Sequence, residues 1–144
     1  MRVLPTALAA VGSLCLTLAL ILAWCLVGVR TTGFMKRWFP SYQYLLKAHI
    51  DYLMMIGLLF IFFLLFTHFR LTPPPLIVVA MSVGSLVNPA AFLALAIKPD
   101  LPQRPASVFG ATVSCGFVVT TIGYGYTQVS VFSRRNGSRV CKFF

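Results

Sequence analysis

Residues 47–66 read KAHIDYLMMIGLLFIFFLLF, and the fold follows from how this stretch is read. Beyond Asp51 the run is apolar without a break, and with the turns before it the segment is long enough to cross the ~30 Å hydrocarbon core of a bilayer. Its first turns carry His49, Asp51 and Tyr52. Titratable groups at membrane depth are costly to keep, so such a cluster marks a candidate site.

Just upstream, residues 30–46 form a basic and aromatic connector in which Trp38, Phe39, Tyr42 and Tyr44 suit the headgroup layer. Pro40 followed by Ser41 predicts a helix start with the serine side chain as cap. The helix is expected over about 43–68, which places His49 near the hydrocarbon boundary and lets Lys47 snorkel. Further upstream, an apolar span runs over about 3–29 between Arg2 and Arg30. It exceeds the ~7–15 residues of a signal-peptide core, and Trp24 stands before Cys25 where lipoprotein cleavage needs a small residue. It reads as a retained helix.

Downstream, Arg70 and Pro73-Pro74-Pro75 end the helix and open a third span over about 76–97. There Ser82, Gly84 and Ser85 permit close helix approach, while Asn88-Pro89 frees a carbonyl one turn earlier and demands a partner for the amide. After the proline-rich connector 98–107 a fourth span covers about 108–132, with Gly110, Ser114, Gly116, Gly123 and Gly125 as an expected packing seam. The tail is basic and holds the short sequon Asn136-Gly137-Ser138.

The sequence therefore predicts an all-α, integral membrane four-helix bundle, a single membrane domain over residues 1–144. The composition agrees: 59% hydrophobic and 10% charged residues, with mean hydropathy +0.90, are values that a soluble domain of this size has no polar surface to cover. The net charge of +10 points to lipid headgroups and not to nucleic acid, because the aromatics lie inside the spans instead of alternating with the basic residues. Orientation stays undetermined. Arg2, Arg70, Arg134, Arg135, Arg139 and Lys142 on the terminal side balance Arg30, Lys36, Arg37, Lys47, Lys98 and Arg104 on the other. Cys15, Cys25, Cys115 and Cys141 form no CxxC pair and read as small buried thiols. No catalytic triad, carboxylate pair, phosphate loop or zinc spacing occurs.

At helical spacing His49, Tyr52, Leu53, Ile56 and Phe60 share one face, a histidine followed by an apolar wall. Such a face suits a planar macrocycle, with the imidazole for iron and Lys47, Lys36 and Arg37 for the carboxylates. The alternative is that His49 bonds another helix and the cations only touch headgroups. Asp51 is placed to pair with Lys47 one turn earlier. His68 reads as interfacial, and Met54 and Met55 as filler of the apolar helix.

Lys47-Ala48-His49 opening the second helix, with Asn88 and Phe92 in the third, resembles the small four-helix membrane isomerases typified by styrene oxide isomerase. The order of features is similar over most of the chain. The resemblance implies a homo-oligomer, a trimer, with haem b bound between subunits and His49 as its metal ligand. It implies Lewis-acid conversion of a small apolar epoxide to a carbonyl compound, with His49 binding the cofactor and Asn88 a candidate catalytic group. Tyr52 is a candidate catalytic substitute for polar groups the family has and this chain lacks, and the His49 face adds Lys47 and Phe60 as candidate cofactor-binding residues. Two positions depart from the family: Met55 stands for an asparagine and Phe92 for a tyrosine. The sequence also admits a non-catalytic membrane subunit or scaffold, and a small proton-coupled carrier using Asp51, His49 and Asn88.

Overall fold

A computed structural model describes residues 3–140, with side chains described over 6–133. Arg2 and residues 141–144, with Lys142 and Cys141, lie outside the described residues, as do the side chains of Arg134, Arg135, Arg139 and the Asn136 sequon. Four long helices follow one another: α1 (Val3–Thr31), α2 (Tyr42–His68), α3 (Pro75–Ile97) and α4 (Val108–Val140). A single 3-10 turn, Phe34–Arg37, interrupts the first connector. All four helices are long and apolar enough to cross a membrane, and the protein is an all-helical, multi-pass membrane protein.

The buried residues show why α1 and α2 pair. In α1 they are Leu8, Gly12, Cys15, Ala19, Leu22, Leu26 and Val29, and in α2 Leu45, Ala48, Tyr52, Leu59, Phe62 and Phe66. Both sets step by three and four residues, with half-buried Met55 completing the second. This spacing keeps one narrow seam facing a partner along the whole helix, as in antiparallel left-handed packing. Small residues set the distance: Phe60 lies over Gly12, its Cε2 3.2 Å from where a Cβ would stand.

Helix α3 is the hub, in contact with α1, α2 and α4. Its buried stripe is correspondingly wider, with Ile77, Val78, Met81, Gly84, Ser85, Asn88, Pro89, Leu95 and Ala96. Pro75 opens it at the first turn, where the missing N–H costs no helical bond. Pro89 sits inside α3 without breaking it and leaves the Ser85 carbonyl short of its helical donor. Cys15 of α1 supplies a weak replacement, its Sγ 4.0 Å from that oxygen.

The α4 seam differs from the expected row. Gly116 meets Val87 and Asn88, and Gly123 meets Met81 and Ala80, with Thr120 and Thr127 buried between and beyond them. Gly125 has nothing within 4 Å, and Gly110 packs against the Arg104 carbonyl of its own connector. The reason is angular: Gly125 lies two residues past Gly123 and therefore about 200° around the helix.

Two helix ends also differ from expectation. Ser41 occupies the N-cap of α2 in an extended conformation without a side-chain cap bond; its backbone N–H turns instead to the Ala96 carbonyl at 3.4 Å. At the other end Arg70 adopts φ 50, and the Leu71 N–H closes on Phe66 O at 2.9 Å, a Schellman ending built on a non-glycine residue.

At Gly84 an added Cβ would collide with the Thr120 side chain, whereas Gly57 has nothing within 4 Å. Gly84→Ala is expected to destabilise the protein by about 1–3 kcal/mol through overpacking. Gly57→Ala is expected to be neutral or to stabilise by up to about 1 kcal/mol through helix propensity. Unfolding titrations in detergent would check both.

Candidate functional site

His49 is the eighth residue of α2, so its Cα lies about 10.5 Å from the helix start. It sits half-buried at the edge of the α1–α2 seam, and its Nδ1 is 2.9 Å from the backbone carbonyl oxygen of Ala19. A carbonyl only accepts, so Nδ1 carries the proton and donates it. In a neutral ring of this tautomer the lone pair is on Nε2. One turn to either side on α2, Leu46 and Leu53 are exposed, as are Leu16 and Leu20 flanking Ala19 on α1.

The expected single face divides. Tyr52 turns into the core at 3% exposure, while Leu53 beside it is 46% exposed. Phe60 remains on the α1 side, but over Gly12 and eleven residues beyond His49, about 16.5 Å along the axis. The Lys47 ammonium lies over the Tyr44 ring, 5.3 Å from its centroid, and Asp51 is half-buried with no ion pair to any described residue. The expected Lys47–Asp51 pair is not formed, because Tyr44 offers Lys47 a nearer face on the preceding turn.

Asn88 is 3% exposed and faces α4. Its Nδ2 donates to Thr120 Oγ1 at 3.0 Å, while Thr120 donates its own proton to Gly116 O at 2.6 Å. That second bond fixes the amide orientation, since the threonine has no further proton to give. Asn88 Oδ1 is consequently buried without a hydrogen-bond partner among the described residues, 3.1 Å from the place of a Gly116 Cβ. A glycine Cα–H occupies that direction and supplies a weak contact.

Beside the amide, a cavity of about 220 Å³ opens between α3 and α4, lined by Asn88, Phe92, Gln103, Phe109, Ser114 and Phe117 among others. Phe92 thus shares a wall with Asn88, as the sequence spacing implies. Depth can be compared through the antiparallel register of α2 and α3. The Ser41 N–H meets Ala96 O, and eight residues inward from each lie His49 and Asn88. The two polar positions stand at one level of the bundle, on different sides of it.

Sequence reasoning missed the partners. Ser85 bonds Tyr124 Oη at 2.7 Å, and Tyr124 stacks at 5.3 Å on Phe62, so a residue read only for smallness is a polar link between α3 and α4. Among the described residues no group of three or more His, Cys, Asp or Glu could hold a metal ion. A lone imidazole holds a metal that brings its remaining ligands with it, as a porphyrin does. No family model, curated protein or solved structure matches this chain.

Removing one half of the Asn88–Thr120 pair strands the other. Thr120→Val is expected to cost about 1–3 kcal/mol. Adding Asn88→Leu should then cost less than Asn88→Leu does alone, a non-additivity that a double-mutant cycle in detergent would measure.

Proposed function

We propose that this chain is a haem b-binding membrane protein in which His49 Nε2 would ligate the iron, acting on a small apolar epoxide as the styrene oxide isomerases do. The observation that carries the reading is the hydrogen bond from His49 Nδ1 to Ala19 O at 2.9 Å. Metal-ligating histidines typically donate their second nitrogen to a carbonyl or carboxylate, which fixes the tautomer and raises the basicity of the ligating nitrogen. Here a neighbouring helix supplies that carbonyl.

When bound, haem supplies a Lewis acid that draws electron density from an epoxide oxygen. The remaining work falls to the chain. Ala19 holds the imidazole in one tautomer and orientation. Leu16, Leu20, Leu46 and Leu53 offer an apolar surface around it that excludes water. Asn88 keeps one amide N–H beyond its bond to Thr120, next to a cavity whose other walls are largely aliphatic and phenyl.

His49 and Asn88 share a depth but lie on different sides of one copy. A homo-oligomer, trimeric by the resemblance, brings the His49 side of one copy against the α3–α4 side of the next and closes the site. Where the family carries an asparagine and a tyrosine, this chain has half-buried Met55 and Phe92. Both changes remove hydrogen bonding, so the pocket selects its substrate by shape and apolarity. Half-buried, unpaired Asp51 favours a second reading, a proton-coupled carrier.

A visible spectrum and pyridine haemochrome assay of the detergent-purified protein tests the choice. The expected result is a Soret band in the wild type that Asp51→Asn retains and His49→Ala loses, followed by conversion of an aryl epoxide to its aldehyde. A wild type that stays colourless after haem is supplied overturns the reading. Transport lost on Asp51→Asn in such a protein would establish the carrier.

A further inference from the structure

Four residues at the connector end of the α1–α2 pair, Val29, Arg30, Lys36 and Tyr42, enclose a pocket of about 300 Å³. The Arg30 and Lys36 side chains are exposed and have no hydrogen bond or ion pair to any described residue, and no acidic residue lines the pocket. The pocket lies between the C-terminus of α1 and the N-terminus of α2. The partial charges of those two ends are opposite and of similar size, about half an elementary charge each, so they largely cancel. Two full positive charges beside a phenol then decide the sign of the site.

Its position relative to His49 follows from helix register. Tyr42 precedes His49 by seven residues, which is about 20° short of two full turns and about 10.5 Å along the axis. Arg30 follows Ala19, the residue that holds the His49 ring, by eleven residues, about 20° past three full turns. Both pocket residues therefore stand on the faces that flank His49, farther toward the helix ends. By helix register, the His49 ring with its exposed leucine neighbours and the two cations with the Tyr42 hydroxyl fall along one side of the α1–α2 pair. Of the cations expected for this role, Lys47 is two residues from His49, about 200° around α2, and engaged with Tyr44. Arg37 does not line the pocket.

We infer that the Arg30–Lys36–Tyr42 pocket is the carboxylate-binding end of the His49 site, taking the acidic edge of a planar ligand whose apolar body lies in the α1–α2 groove. The inference rests on the haem reading and extends it to orientation. With the carboxylates of such a ligand held at the connector end, His49, about 10.5 Å farther along α2 than Tyr42, would be the residue placed to ligate its metal. Arg30 and Lys36 donate to the carboxylate oxygens, and Tyr42 donates its hydroxyl proton.

The test is a Soret titration of the full-length, detergent-purified protein with haem b and with its dimethyl ester, which keeps the iron and lacks both negative charges. Wild type is expected to bind haem b about tenfold or more tighter than the ester, the scale of a charge-assisted contact. The double variant Arg30→Gln/Lys36→Gln should lose that preference while keeping a Soret band that depends on His49. Arg37→Gln and Lys47→Gln should retain it, and Arg30→Lys should restore most of it, which excludes misfolding as the cause.

Equal affinities in wild type, or a preference unchanged in the double variant, overturn the assignment while leaving haem binding in place. Repeating the titration with added anionic or neutral phospholipid separates the other source of negative charge. If the double substitution alters only the response to anionic lipid, the pocket is a headgroup site and the proposal is wrong. A wild type that binds neither compound overturns the haem reading and this proposal with it.

Discussion

Hydrocarbon supplies no hydrogen bonds, so polar groups on α3 are costly unless another helix meets them, and the bundle is arranged around that demand. Pro89 deprives the Ser85 carbonyl of its donor; Cys15 of α1 turns to it. The Ser85 hydroxyl is met by Tyr124, and the Asn88 amide by Thr120, both from α4. The two bonds to α4 need a close approach, and small residues at Gly84, Gly116 and Gly123 provide it. In lipid, packing and polar contacts of this kind hold helices together, because the surrounding tails are as apolar as leucine.

Against that polar centre the α1–α2 pair is a different type of contact. Its seam is apolar, narrow and regularly spaced, and a polar bond crosses it from His49 to Ala19 O. A carbonyl already committed to its own helix accepts a second hydrogen bond, which leaves the acceptor count of the backbone intact while fixing the ring. The cost of keeping an imidazole at this depth is reduced, and its other nitrogen stays unpaired. An apolar seam thus presents one lone pair at its edge, the arrangement on which the haem proposal stands.

The site residues were only partly legible in the chain. His49 and Asn88 stand out because polar groups inside apolar runs are conspicuous, and the helix period places Phe92 beside Asn88. The period does not say which edge of a face is covered. Tyr52 and Leu53 adjoin in sequence, yet the bundle buries the first and leaves the second exposed. Lys47 was named for its proximity along the chain, but two residues of helix rotate it to the far side, where Tyr44 takes it. Arg30 belongs to another helix and was visible only as a topological charge.

By itself the sequence determined the class of the protein. Hydropathy sets the number of spans, and proline, glycine and basic residues set their ends. The observed helices begin at Tyr42, Pro75 and Val108, within a residue of the starts expected for them. Those features are local, because each depends on side chains within a turn or two and on the thickness of a bilayer. Tertiary structure alone decided which helix faces meet, and so which polar groups find partners. It brought Ala19 to His49 and Thr120 to Asn88 across gaps of 30 and 32 residues. It also brought Arg30 and Lys36 together with Tyr42 at the connector end of the α1–α2 pair. Such pairings depend on the rotation and register of one helix against another, quantities that packing fixes and a linear pattern does not carry.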